Sequence, residues 1–530
     1  MKITIFSLFI LIILIIIEVS QKKIKIQNTN FFFNSPKLFN NKQFALSSLL
    51  ILFFIILTQS AYLNFETIDW DTNSYLVASQ DVLRGNLPYI EQWESKQVLF
   101  YYLYAITVKA SFGNLIVFKF FNDLILFVIT FLLFLIIQNI TNNSYKALIG
   151  ALFFVIIMSQ PWATAEFSEL YSLLFIALSY YIILIKVKDL TRKITLVVGS
   201  LLAISSLVNI GASLFFIPIG FHILINKREL MIPLSLPPIV LHLFFTFIYY
   251  LENELEVYLA TLFFIPNAYS GESMNFTTSF TDFLRSLFEF NNSLFVGILV
   301  LTFVSILNVF NLKNKKEILN FFKSLHIQFI FVSLLFYYLA SHGYYHHLIF
   351  FIFFIPTLVV YINSKFHTYL FFLIVLFGLA TVTLNSTNIA FNNLRDIEKI
   401  YDNYPLKVLS YEIDSIFEKE YSILAFDSIL VLYYLDKPNF SYVIHPSNHT
   451  EEFIYSNLIK VKKIQNNEPS RLVDMEPDVI ICSNNQIIQC EIYDYKQNYY
   501  EYDSLRFRQN PNLQFYDNQS FNFRVFIKES

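Results

Sequence analysis

Apolar runs dominate this chain, at 3–19, 44–62, 119–138, 146–160, 170–186, 194–210, 212–226, 230–250, 292–312, 325–341, 347–363 and 367–385. A helix needs about 20 apolar residues to cross a hydrocarbon core of roughly 30 Å, so these runs read as membrane spans, with 146–160 the short one. The run 98–112 stands apart. At about 15 residues, with Lys109 near its end, it either spans poorly or lies along the membrane surface. From about residue 400 the pattern changes: YSILAF (421–426), FSYVIHP (440–446) and PDVIICS (477–483) read as short buried strands between polar segments. The expected architecture is an α-helical polytopic membrane protein with about 11–12 transmembrane helices and a C-terminal α/β domain.

Lysine and arginine orient the spans. If 98–112 does not cross, every basic cluster falls on one face: Lys22, Lys23, Lys25, Lys37 and Lys42; Lys186, Lys188, Arg192 and Lys193; Lys227 and Arg228; Lys313, Lys315, Lys316 and Lys323. Cytoplasmic loops carry that excess, so the other face, with 63–118, 161–169, 251–291, 342–346 and the tail from 386, is the outer one. Residues 98–112 then form a surface-lying or re-entrant helix. Residues 1–19 have the length of a signal peptide, but only Lys2 precedes the apolar run and no small-residue cleavage site follows, which favours a retained helix. Three units follow: 1–43, an extra helix and cytoplasmic loop; 44–390, the membrane domain; and 391–530, the outer α/β domain.

Composition narrows the class. With 55% hydrophobic and 15% charged residues, the chain is not an ordinary soluble domain. A net charge of -3, with no basic stripe, gives no support for a nucleic-acid partner. The two cysteines, Cys482 and Cys490, exclude a disulfide-rich scaffold and leave open one hairpin disulfide or two unpaired core residues.

Acids and bases concentrate at 69–113, in an otherwise charge-poor chain. Asp69 and Asp71 precede a short helical pattern, read as Ser74 to Arg84 and stopped by Gly85 and Pro88. Glu91, Glu94 and Lys96 then lead into the apolar run. Asp71 with Tyr75 four residues on, Gly85, Pro88-Tyr89, Lys96 and Gly113 resemble the first periplasmic loop of the GT-C glycosyltransferases, in the branch of bacterial protein O-mannosyltransferases and aminoarabinose transferases. The resemblance implies a bacterial inner-membrane enzyme that moves a sugar, with inversion, from a polyprenyl-phosphate donor to a hydroxyl of a periplasmic lipid, glycan or protein.

It also implies roles. Asp71 takes the place of the catalytic aspartate; on physical grounds alone it could equally be a helix N-cap. Asp69 is close enough to share a substrate hydroxyl or a cation with it. Lys96 occupies the position of the lysine in the family's Lys-Pro-Pro motif, which meets the lipid phosphate; here the motif reads Lys96-Gln97-Val98, without either proline. Its plainer reading is an interfacial lysine. Arg84 and Tyr75 are further candidates for substrate contact.

Glu169, opening the span after 161–169, resembles the acid that follows the third or fourth span in such enzymes, and Glu166 lies further from the span. Ser341-His342-Gly343-Tyr344-Tyr345-His346-His347 resembles the family's Tyr/Pro-His-Tyr segment, with His346 the candidate for phosphate or sugar contact. Neighbouring histidines on one helix do not share a face, and no acid stands nearby in sequence, which argues against a zinc site. No cofactor is required by the chemistry; a divalent cation held by Asp71 with Asp69 or Glu169 stays open. Trp70, Trp93 and Trp162 are most simply aromatic-belt residues. The rival classes are a secondary transporter, disfavoured by only 10 glycines and no inverted repeat, and a non-catalytic polysaccharide-assembly protein, which would not need Asp71.

Overall fold

The computed structural model describes residues 41–66, 69–186, 189–271, 276–310, 321–340, 343–362, 365–483, 498–513 and 522–529. The run 3–19, the lysines at 22–37, Lys188, Lys313, Lys315, Lys316, His342 and Cys490 lie outside them.

Every apolar run among the described residues is helical. Among the described residues, five helical stretches are long and apolar enough to cross a membrane: Gln43–Tyr62, Leu115–Thr141, Ser168–Lys186, Arg228–Leu251 and His367–Arg395. Shorter apolar helices, among them Ser144–Met158, Asn292–Leu307 and Leu325–Leu339, complete the helical body. Local chemistry sets the boundaries. Asn142 ends one helix in the left-handed conformation (φ 51), and the Asn143 side chain caps the next by accepting from the N–H groups of Tyr145 and Lys146. Gly199 permits close packing of Arg192–Val208 on Met231–Leu251, because a Cβ there would meet the Leu234 carbonyl oxygen at 2.3 Å. Met231–Leu251 leaves Ile232, Ile239, Leu243 and Phe247 exposed, an apolar face suited to lipid.

The first loop carries two helices packed against each other, Trp70–Leu83 and Val98–Ala110. The second has 13 residues; at 1.5 Å per residue it extends about 20 Å, too short to cross a core of about 30 Å. Its Val98, Phe100, Tyr101, Tyr104 and Val108 side chains are buried in protein, while Ile106 is exposed. The first helix begins at Trp70, four residues earlier than its sequence pattern predicts. Asp69 is the reason: its carboxylate accepts from the Asp71 N–H at 2.9 Å, making Asp69 the N-cap and leaving Asp71 in the first turn.

Among the described residues, four strands form the C-terminal sheet: β1 (Ile423–Ala425), β2 (Val479–Ser483), β3 (Tyr499–Tyr502) and β4 (Phe523–Lys528), in the order β1-β2-β4-β3. β1 and β2 are parallel, with Ile423 opposite Val479; β4 runs antiparallel to β2 and β3. Residues 440–446 are not a sheet strand, contrary to their sequence pattern. They make a single parallel bridge, Trp93 with Val443, between the first loop and the C-terminal region. Cys482 is buried in the sheet and disulfide-bonded.

Glu66 ties the two regions together. Its buried carboxylate accepts from the N–H groups of Leu406 at 2.7 Å and Lys407 at 2.9 Å, the otherwise unsatisfied donors that open the helix Pro405–Asp414. Trp93 and Trp162 are packed inside the protein rather than exposed as aromatic-belt residues would be: both are buried, Trp93 donating to Thr261 at 2.8 Å and Trp162 to Gln160 at 3.0 Å.

Candidate active site

Asp71 is the centre of a hydrogen-bonded group drawn from three parts of the chain. Tyr75, one turn further along its helix, donates its hydroxyl to Asp71 Oδ2 at 2.7 Å. Lys96 Nζ stands 3.8 Å from the same oxygen and 5.7 Å above the Tyr75 ring. On the other side His445 Nε2 lies 2.8 Å from Asp71 Oδ1. Asp71 and Lys96 keep 19% and 20% side-chain exposure, so a substrate can reach both.

The chain holds Lys96 without the missing prolines. Its N–H donates to the Glu94 carboxylate at 3.2 Å and to the Tyr101 hydroxyl oxygen at 3.0 Å, and its carbonyl accepts from Tyr89 at 2.5 Å. Gln97 is extended (φ -76, ψ 154), so the helix starts at Val98. Gln97 Oε1 also accepts from the Ile210 N–H at 3.0 Å, fastening this corner to the membrane helices.

Charge follows from this geometry. Burial pushes the Asp71 carboxyl up, but the Lys96 ammonium and the His445 hydrogen bond outweigh it and hold Asp71 well below the usual carboxylate range. Burial pulls Lys96 down, yet the charges of Asp71, Glu169, Glu94 and Asp69 leave it raised overall. Asp69 moves the other way. Burial and the charge of Asp71 push it up to about 7.

Glu169 forms the second part of the site. Buried at the start of its helix, it accepts from the Asn209 amide at 3.1 Å and the Ser168 hydroxyl at 3.2 Å. Ligand atoms of Glu169, His346 and His347 lie within 4.8 Å of one another, with His347 Nε2 4.0 Å from Glu169 Oε1. Both histidines reach the acid because their segment is a 3-10 turn, Tyr345–Leu348, rather than the α-helix assumed from sequence. This trio, not Asp71 with Asp69, has the donor set suited to a divalent transition metal. His346 is stacked on Phe167, centroids 4.3 Å apart.

Two candidates stand elsewhere. Arg84 closes the far end of the helix, pairing with Asp436 at 3.1 Å and Asp81 at 3.4 Å; the rise from Asp71 puts it about 20 Å away. Glu166 is buried, within range of the Lys119 charge. His445 was absent from the sequence-based candidates. A lone histidine before a proline carries no signal in sequence; contacts distant in sequence, the Trp93–Val443 bridge among them, bring it to Asp71.

No family model matches the chain, and no curated protein matches it in sequence. Solved structures do match. ArnT from Cupriavidus metallidurans bound to undecaprenyl phosphate aligns with a TM-score of 0.57 and 9% identity, over 91% of this chain and 97% of that one. The apo state of the same protein aligns with a TM-score of 0.44 and 11% identity, over 91% and 96%. At such identities the likeness is one of fold, and it extends from the membrane helices through the C-terminal sheet: this chain has the GT-C fold of ArnT.

Proposed function

We propose that this protein is a glycosyltransferase that moves a sugar from a polyprenyl-phosphate donor to a hydroxyl acceptor, a lipid, glycan or protein, at the periplasmic face of a bacterial inner membrane. The observation that carries the reading is Asp71: an ionised carboxylate with hydrogen bonds on both oxygens, beside a fixed lysine, on the fold of a protein crystallised with undecaprenyl phosphate. The basic clusters, all on one face when Val98–Ala110 does not cross, support the periplasmic orientation.

The chemistry suits these residues. The acceptor oxygen forms a bond to the anomeric carbon as the bond from that carbon to the phosphate oxygen breaks, and a single displacement inverts the centre. The departing phosphate gains negative charge, which Lys96 offsets. Asp71 accepts a hydrogen bond from the acceptor hydroxyl and then its proton. A depressed pKa makes it a weak base, but weakness is tolerable here, because the attacking oxygen becomes strongly acidic once bonded to carbon. Glu169, His346 and His347 are the residues that would hold a divalent cation, which would supply Lewis-acid stabilisation of a departing phosphate.

The direct test uses wild-type protein in proteoliposomes, the sugar-labelled polyprenyl-phosphate fraction of the host bacterium, and its envelope fraction as acceptor. Label should leave the lipid fraction and appear in envelope material only with the protein present. Label that stays on the lipid contradicts the reading.

A further inference from the structure

The C-terminal region does more than cover the membrane helices. We infer that His445 is a positioning residue for Asp71, so that the site is complete only when the C-terminal region is seated on the first loop; the inference rests on the glycosyltransferase reading.

His445 is fixed on every side. The bridge at Val443 sets the backbone, with the Trp93 N–H donating to the Tyr442 carbonyl at 2.6 Å and the Ile444 N–H to the Trp93 carbonyl at 3.1 Å. Pro446 then keeps His445 extended (φ -69, ψ 131). Trp70 packs edge-on against the ring, centroids 6.4 Å apart at 85°. The Ser447 N–H points at Nδ1 at 3.2 Å, and the Ser447 hydroxyl lies 2.9 Å from the same atom.

That last contact assigns the proton. A backbone N–H can only donate, so it favours a ring with Nδ1 as acceptor and the hydrogen on Nε2. Burial works against a charged ring, but the hydrogen bond and charge of Asp71 outweigh it and shift His445 upward, toward the doubly protonated form. In either form Nε2 carries a hydrogen and donates it to Asp71 Oδ1 at 2.8 Å. With the Tyr75 hydroxyl donating to Oδ2, and the Lys96 ammonium 3.8 Å from that oxygen as an ion pair, the carboxylate plane is fixed by one donor on each oxygen. Removing His445 frees Oδ1 to rotate, and the cost should fall on the chemical step rather than on donor binding.

The test compares wild type, His445→Ala, His445→Gln and Asp71→Asn in proteoliposomes with the labelled host lipid fraction and envelope acceptor, alongside binding of undecaprenyl phosphate. His445→Ala should lower kcat by about tenfold or more while donor KM and undecaprenyl-phosphate binding stay within about twofold. His445→Gln offers an amide N–H near the place of Nε2 and should recover most of the lost rate. Wild-type kcat in His445→Ala, or a loss confined to KM and binding, overturns the inference. If His445→Ala does not accumulate, His445→Gln decides alone: folded protein as inactive as Asp71→Asn overturns it. Loss of transfer in Asp71→Asn with an active His445→Ala leaves the glycosyltransferase reading standing, whereas no transfer by wild type ends both.

Discussion

His445 Nε2 donates to Asp71 Oδ1 at 2.8 Å, joining residues 374 positions apart in sequence. The contact ties the C-terminal region to the first residues of the first loop, at the carboxylate to which the chemistry is assigned. Asp69 caps the helix in place of Asp71, which leaves the Asp71 carboxylate available to outside partners.

Lys96 is held by its backbone, so substitutions of its side chain should leave the loop intact. Lys96→Ala should weaken binding of undecaprenyl phosphate by tenfold or more, on the order of one charge-assisted contact, and Lys96→Arg should weaken it less. Equal affinity of wild type and the alanine variant would return Lys96 to an interfacial role.

Glu66 acts at a distance from the chemistry. Glu66→Ala leaves two buried backbone N–H groups without their acceptor, at a cost of roughly 1–3 kcal/mol, whereas Glu66→Gln keeps one acceptor oxygen. The thermal midpoint of detergent-solubilised protein should fall further for alanine than for glutamine. A wild-type midpoint in Glu66→Ala would contradict the latch.

Asp69 should make stability depend on pH. Its carboxyl is raised in the folded protein from 3.8 to about 7, so folding takes up a proton, and the stabilisation is complete below the unfolded value and lost as pH rises through the folded one. Asp69→Asn keeps a capping side chain and removes the titration. Between about pH 5 and pH 8 the wild-type midpoint should fall relative to that of the variant. Parallel curves would show that Asp69 titrates as an ordinary acid.

Topology is checked by reporters. One fused after Gln138 should read cytoplasmic and one after Trp162 periplasmic, because Val98–Ala110 is too short to cross. The opposite pair would move the first loop to the other face.

The spans were legible because a bilayer imposes a length that apolar runs reveal directly, as in 119–138, which lies within Leu115–Thr141. The clustering of Asp71, Tyr75 and Lys96 was legible because they share one loop. The candidate site was obscure where it depends on distant contacts. His445 reaches Asp71 through contacts far apart in sequence, such as the bridge at Val443, and the acid paired with His346 and His347 sits on another helix, beyond the reach of any spacing rule. β4, FRVFIK, was missed although it is strongly apolar, because its pairing with both β2 and β3 is non-local. Arg84 is a candidate for substrate contact from sequence, but the helix Trp70–Leu83 carries it to the end opposite Asp71.

Asp71→Asn tests the central claim most directly. Because Asp69 is the cap, the substitution removes charge without removing a helix start, and its amide keeps the size of the side chain. The variant should reach the membrane at wild-type abundance, retain binding of undecaprenyl phosphate, and transfer sugar at a rate reduced by roughly a hundredfold or more. Transfer at the wild-type rate by a folded Asp71→Asn protein would contradict that claim.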